Sequence, residues 1–358
     1  MRIRLGLLDK DVKYLERLMS SFNINYSDKV EVFSFTDSEK ILESIDSEKI
    51  NVFLSSTEFD IDVKRIPANC AFAYLVESKD ILTFKGEKTV CKYQMVDGIY
   101  KQIVGLFSDV ANDITGFVSL GSEKTTVYGF VSASGGTGCS TAAAAVAMYL
   151  AQNGKKTLYL NFEKLGDPDL YFSAEGSETF RDIIFAIKSK KGNLPLKLQS
   201  IVKRDKTGVY FYSKVPLALD FAELSISEIL EIIQIVKDNF DYEYIILDLD
   251  FSLGKESQLL MAECNQLIFV SDGSPISNSK LKRAYDSLKI IEDTKDIKIL
   301  NNTAILYNRF SSKVSSKIVL DGVQEIGGIK RYEGYDEEKL LSELSKLPVF
   351  DKFILAKE

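Results

Sequence analysis

The stretch from Val127 to Gly154, VYGFVSASGGTGCSTAAAAVAMYLAQNG, constrains the fold more than any other part of the chain. VYGFVSA (127–133) is a run of small, apolar and β-branched residues that reads as a strand. SGGTG (134–138) packs three glycines into five residues. CSTAAAAVAMYLAQ is then a strong helix former, closed by Gly154. A strand, a glycine turn and a helix in that order make a phosphate-binding loop, in which backbone N–H groups surround an anion at a helix N-terminus. The general pattern, G-x-x-x-x-G-K-[ST], adds a lysine for the β/γ oxygens and a hydroxyl for Mg2+. Here Cys139 stands where that lysine belongs. The candidate phosphate contacts are Gly135, Gly136, Thr137, Gly138, Cys139, Ser140 and Thr141, with Ser140 also the candidate magnesium hydroxyl.

The rest of the second half has the periodicities of an α/β sheet. KKTLYLNFE (155–163), EYIILDLD (243–250), QLIFVSD (266–272) and TAILYNRF (303–310) read as strands, and DFAELSISEILEIIQIVKDNF (220–240) as a long amphipathic helix. Near-continuous apolar strands such as YIILDLD suit a sheet covered on both faces. The first half alternates as well. RIRLGLLD (2–9), KVEVFSF (29–35), INVFLSS (50–56), CAFAYLVE (70–77) and TVCKYQ (89–94) are strands. DVKYLERLMSSF (11–22), DSEKILESI (37–45) and a segment from about Gly98 to Val110 are helices. Five alternating strands predict a parallel, doubly wound sheet. A chain of 358 residues accommodates two domains. Weak periodicity over 109–126 places a linker at 116–126, between domains at 1–115 and 127–358.

Composition narrows the chemistry. The chain has no histidine, which removes His-dependent triads and the commonest zinc sites. Four scattered cysteines carry no C-x-x-C spacing and fit reduced thiols in a cytoplasmic protein. The net charge of −7 argues against nucleic acid as a partner and favours proteins. No apolar run approaches the ~20 residues that span a bilayer. The opening MRIRLGLLDKD does not read as a secretory signal. The ending VFDKFILAKE is too short and mixed for a basic amphipathic membrane helix, so no direct membrane insertion is expected.

The first half resembles a response-regulator receiver domain. The resemblance implies a flavodoxin-like fold, with Asp9 and Asp11 as the acidic pair and Lys92 as the lysine after the last strand. Ser55 or Ser56 stands where a phosphoacceptor aspartate would be, which implies docking without phosphotransfer. Asp9 and Asp11 serve equally well as caps of the first helix.

The second half resembles the deviant loop of MinD/ParA ATPases, K-G-G-x-G-K-[ST]-[ST]. Ser134 takes the first lysine's place and Cys139 the second's; Gly135, Gly136, Gly138, Ser140 and Thr141 are kept. TLYLNFEKLGDPDLYF (157–172) resembles the family's second strand and switch region, with Asn161 and Glu163 for its D-x-D. YIILDLDFSLG (244–254) resembles the Walker B strand, in which Asp248 would hold magnesium through water. YNRF (307–310) resembles the N-R motif, in which Asn308 would read an adenine edge beside Arg309. GYDEEKLLSELSKLPVF (334–350) resembles the closing loop and helix. The resemblance implies a P-loop NTPase-type sheet, ATP and Mg2+ as cofactors, and Glu163 as the residue that orients water. With no positive charge at position 139 or 134, ATP would be held and hydrolysed slowly or not at all.

A degenerate receiver joined to such a domain resembles the TadZ/CpaE family. That resemblance implies a homodimer that marks a place in the cell, such as a pole, and recruits components of a tight-adherence (Flp) type IV pilus secretion system. Two other functions stand beside it: a ParA-like DNA-partitioning ATPase, which the acidic balance and absent lysines oppose, and a nucleotide-independent signalling adaptor.

Overall fold

The computed structural model describes residues 2–111, 125–190, 192–295 and 297–354. The linker expected over 116–126 lies outside the described residues as far as position 124. Two compact units form. The described residues of Met1–Ser119 and Asp182–Ile201 make one, and those of Leu120–Arg181 and Val202–Glu358 the other.

The first part of the chain runs β1 (Ile3–Leu8), α1 (Val12–Asn25), β2 (Val30–Phe35), α2 (Ser38–Ser47) and β3 (Val52–Ser56). It continues through β4 (Ala71–Val76), β5 (Thr83–Phe84), β6 (Glu87–Cys91) and α3 (Val96–Val110). The sheet order is β2-β1-β3-β4-β6-β5, parallel except for β5 against β6. The expected strands are present, but the alternation with helices lapses after β3 and β4. The segment after β3, TEFDIDVKRIPANC, has no helical apolar period and carries Pro67, so it forms only a 3-10 turn at Val63–Arg65. After β4 the chain makes a hairpin instead of a helix. Its two turn residues, Lys85 and Gly86, both have positive φ (52° and 85°), as a type I′ turn requires.

The second part runs β7 (Thr126–Val131), α4 (Cys139–Gln152), β8 (Thr157–Asn161), α5 (Phe180–Ser189) and α6 (Leu194–Ile201). Then come β9 (Lys203–Arg204), β10 (Tyr210–Phe211), α7 (Ala218–Phe221), α8 (Ile226–Asn239) and β11 (Tyr244–Asp248). It ends with α9 (Lys255–Ala262), β12 (Gln266–Ser271), α10 (Pro275–Thr294), β13 (Thr303–Phe310), β14 (Gln324–Lys330) and α11 (Glu337–Leu344).

Residues 182–201 fall inside the span expected for the second domain, yet α6 belongs to the first unit. The reason lies in α3, which buries Ile99, Tyr100, Ile103, Val104, Leu106 and Phe107 and so is apolar on more than one face. One face lies on the sheet, and α6 packs on α3, with Leu196 joining the sheet's core. Gly192 makes the approach possible: a Cβ there would sit 2.2 Å from the Ser108 carbonyl oxygen.

The larger sheet has the order β14-β13-β12-β7-β11-β8-β10-β9, parallel except for β9 against β10. All ten residues Thr141–Leu150 of α4 are buried. Their small alanine side chains let the helix lie close between the sheet and α11. The chain then closes on the same core through a 3-10 turn at Pro348–Phe353. Phe350 and Phe353 are buried there, and the Tyr128 hydroxyl donates to the Phe353 carbonyl at 3.0 Å. Phe350 and Phe353 of the tail are therefore core residues.

Candidate nucleotide site

Parallel strands carry their C-terminal ends to one edge of the sheet, where ligands of such folds bind. The loop after β7, the ends of β8, β11 and β13, and the N-terminus of α4 meet at that edge. Every candidate nucleotide-site residue lies on one of these elements except Glu163, which follows β8 by two residues.

The loop is braced from both sides. Ser132 Oγ lies 2.7 Å from the Val270 carbonyl and accepts from Thr137 Oγ1 at 2.9 Å. Gly136 and Gly138 take the left-handed conformation, with φ of 80° and 75°. Gly138 is doubly required, because a Cβ on it would lie 2.6 Å from Asn308 Nδ2. Asn308 is buried and donates from Nδ2 to the carbonyls of Thr137 (2.9 Å) and Gly138 (3.2 Å), while its Oδ1 accepts from the Arg309 N–H. Its amide is thus engaged with the loop and with its neighbour. Arg309 is exposed, has a positive φ of 55°, and donates from Nη1 to the Gly136 carbonyl at 2.8 Å. Thr141 Oγ1 donates to Glu337 Oε1 at 3.1 Å, which ties α4 to the start of α11.

Facing the loop is a set of acids. Asp248 ends β11 opposite Asn161 of β8 and is fully buried. Its Oδ2 accepts from Tyr159 OH at 2.7 Å and Asn161 Nδ2 at 3.1 Å, whereas its Oδ1 has no hydrogen-bond partner. Glu163 Oε2 accepts from Ser140 Oγ at 3.0 Å, and Asp250 Oδ2 accepts from the Lys164 N–H at 2.8 Å. Burial first, and then the Glu163 charge, push the Asp248 carboxyl up to about 7. Glu163 is raised as well, by burial and by Asp250. Cys139, first residue of α4 and half-buried, is raised by burial and by both carboxylates, so its thiol stays protonated near neutral pH. Among the described residues, Arg309 is the single cation lining this cavity of about 340 Å³.

A divalent cation fits these residues. An orphaned, buried carboxylate oxygen beside Ser140 and Glu163 is what such an ion would satisfy. Among the described residues no cluster of three or more Cys, Asp or Glu could hold a metal by itself. Such an ion would need further ligands beyond Asp248 and the Ser140 hydroxyl.

Sequence reading missed Tyr159, which looks like one more apolar residue in TLYLN, and Ser132 and Asp250, which no pattern marked. The spacing of Tyr159 and Asn161, two apart on β8, was the available signal: alternate strand residues share a face.

In the receiver-like unit, Asp11 caps α1 by accepting the Tyr14 N–H at 3.0 Å. Asp9 instead pairs with Lys92, Nζ to Oδ2 at 2.6 Å, so the two acids have separate roles. Ser55 and Ser56 are both buried, and Lys92 Nζ stands 3.5 Å from Ser56 Oγ.

Residues 1–108 match the family model described as TadZ-like, receiver domain. No curated protein matches the sequence. Among solved structures, the chain is similar to a ParA family ATPase from Chlorobium tepidum TLS, at 23% identity and a TM-score of 0.51. The match covers 64% of this chain and 98% of that one. The septum site-determining protein MinD from Pyrococcus horikoshii OT3, solved with Mg-ADP, matches at 17% identity and a TM-score of 0.49, over 64% and 96% of the two chains. The chain therefore combines a TadZ-like receiver domain with a C-terminal unit that has the fold of ParA-family ATPases.

Proposed function

We propose that the C-terminal unit binds ATP with Mg2+ and hydrolyses it weakly or not at all. In this reading the chain works as a nucleotide-bound homodimer in placing and assembling a tight-adherence (Flp) type IV pilus secretion system. The observation that carries the reading is the glycine loop at the N-terminus of α4, faced by Asp248 with one buried oxygen unsatisfied.

The N–H groups of Gly135, Gly136, Thr137, Gly138, Cys139, Ser140 and Thr141 surround the phosphates, and the end of α4 adds its dipole. Among the described residues, Arg309 is the one cation in the cavity lining. Ser140 and Asp248 would hold Mg2+, which would supply the positive charge that the loop lacks. Glu163 orients water. Slow turnover follows from position 139, where a neutral thiol replaces a cation worth several kcal/mol in a charged transition state. Asn308 enters through the shape of the loop it braces. The receiver-like domain, 1–115 together with α6, is the docking half, and the rest of 127–358 the nucleotide half. The partners are a second copy of the chain and proteins of the pilus machinery in the cytoplasm, at a pole or beside a membrane-bound secretion complex. Among the described residues no helix is long and apolar enough to cross a membrane.

Calorimetry of the full chain with ATP, in Mg2+ and in EDTA, tests the binding. We expect saturable binding that Mg2+ strengthens. Ser140→Ala should lower the Mg2+-dependent part about tenfold, the ~1.4 kcal/mol of one charge-assisted contact. Absence of binding at millimolar MgATP ends the reading. In cells, loss of pili on deletion, and a fluorescent fusion gathered at the pilus site, test the assembly role; normal piliation without the gene refutes it.

A further inference from the structure

The two oxygens of Asp248 are treated unequally. Oδ2 accepts twice, from Tyr159 OH and from Asn161 Nδ2, and Oδ1 accepts nothing although it is buried. The donors are themselves held. Asn161 sends its second amide hydrogen to Tyr159 OH at 3.3 Å, and its Oδ1 accepts the Glu163 N–H at 3.1 Å. Gly166 leaves the room for that carboxamide: a Cβ at 166 would stand 1.8 Å from Asn161 Oδ1. Cross-strand register does the rest, since Asn161 lies directly opposite Asp248 and Tyr159 precedes it on the same face of β8. Turning the carboxylate would cost both bonds to Oδ2 at a fully buried position. We infer that Tyr159 and Asn161 are positioning residues that saturate one oxygen of Asp248 and reserve the other for the divalent cation that accompanies the nucleotide.

This deepens the ATP-binding reading and rests on it. A core strand needs only an apolar ring at 159, and the hydroxyl alone reaches Asp248. Tyr159→Phe therefore separates the two roles. The test uses the full chain, with calorimetry of ATP in Mg2+ and in EDTA, and paramagnetic resonance of Mn2+ bound in place of Mg2+ with ATP. Tyr159→Phe should lower affinity about tenfold with Mg2+, change it less than twofold in EDTA, and alter the Mn2+ spectrum. Asn161→Ala should act in the same direction and provides the test should Tyr159→Phe not fold. An unchanged ratio of the two affinities, or an equal loss with and without metal, overturns the inference while the nucleotide reading stands. If the unmodified chain shows no MgATP binding, both fall.

Discussion

Ser140 Oγ donates to Glu163 Oε2 at 3.0 Å, so the hydroxyl at the start of α4 faces a carboxylate. Around this bond stand Asp248, Asp250 and the neutral thiol of Cys139, and among the described residues Arg309 is the one cation lining the cavity. A triphosphate brings more negative charge to the same place. The backbone nest alone does not offset that repulsion, which is why the site's affinity should depend on a divalent cation.

Crowded acids make the ligand-free protein sensitive to pH. Asp248 has a reference value of 3.8 and a folded value of about 7, raised by burial and by Glu163. Between those values the folded chain keeps a proton that the unfolded chain has released. Stability should then fall as pH rises from about 4 to 7, by at most about 1.4 kcal/mol per pH unit, and level off above. The raised Glu163 adds to the same slope. Denaturation of the ligand-free chain between pH 5 and 8 measures it, and Asp248→Asn should flatten it. A slope that survives Asp248→Asn would place its source elsewhere.

The Asp9–Lys92 pair should be a support of the receiver-like unit. Side-chain exposures of 3% and 11% leave little water to take over from either partner. Lys92→Ala strands a buried carboxylate and should cost on the order of 3–5 kcal/mol. The double change Asp9→Asn, Lys92→Met should recover most of that, since it removes both charges. Hydrogen exchange in β1 and β6 reads the effect within this unit. Equal destabilisation by the single and the double change would show that the ion pair is not what matters.

How far these features can be read in advance depends on their range. The glycine loop, Asp248 and the strands around them are local patterns, and the chain order alone brings them to one sheet edge. Lys92 is legible because a parallel sheet puts the ends of β1 and β6 on the same side. The missing helices after β3 and β4 are overruled by local chemistry, Pro67 in one case and the Lys85–Gly86 turn in the other. Tyr159 and α6 are different. A tyrosine in an apolar strand announces packing, and only the opposing strand turns its hydroxyl toward a carboxylate. The second apolar face of α3 announces a missing partner without saying that it lies some ninety residues downstream.

Cys139→Lys tests whether the neutral residue at position 139 limits turnover. A lysine there would place its ammonium toward the acids that now surround the thiol, Asp248 and Glu163. Two effects should follow. The Asp248 carboxyl should return toward the ordinary range, removing the pH slope described above. Turnover should rise as well, because Glu163 is already hydrogen-bonded at the loop. A tenfold gain needs only ~1.4 kcal/mol of transition-state stabilisation, within reach of one positioned cation. Single-turnover assays on the variant and the unmodified chain, with binding measured beside them, separate the effects. Tighter ATP binding without turnover would assign the defect to Ser134 or to the Asn161/Glu163 pair. An unmodified chain that hydrolyses ATP at about one per second would show that Arg309 or another cation already does the lysine's work, and the loop could no longer be regarded as chemically retired.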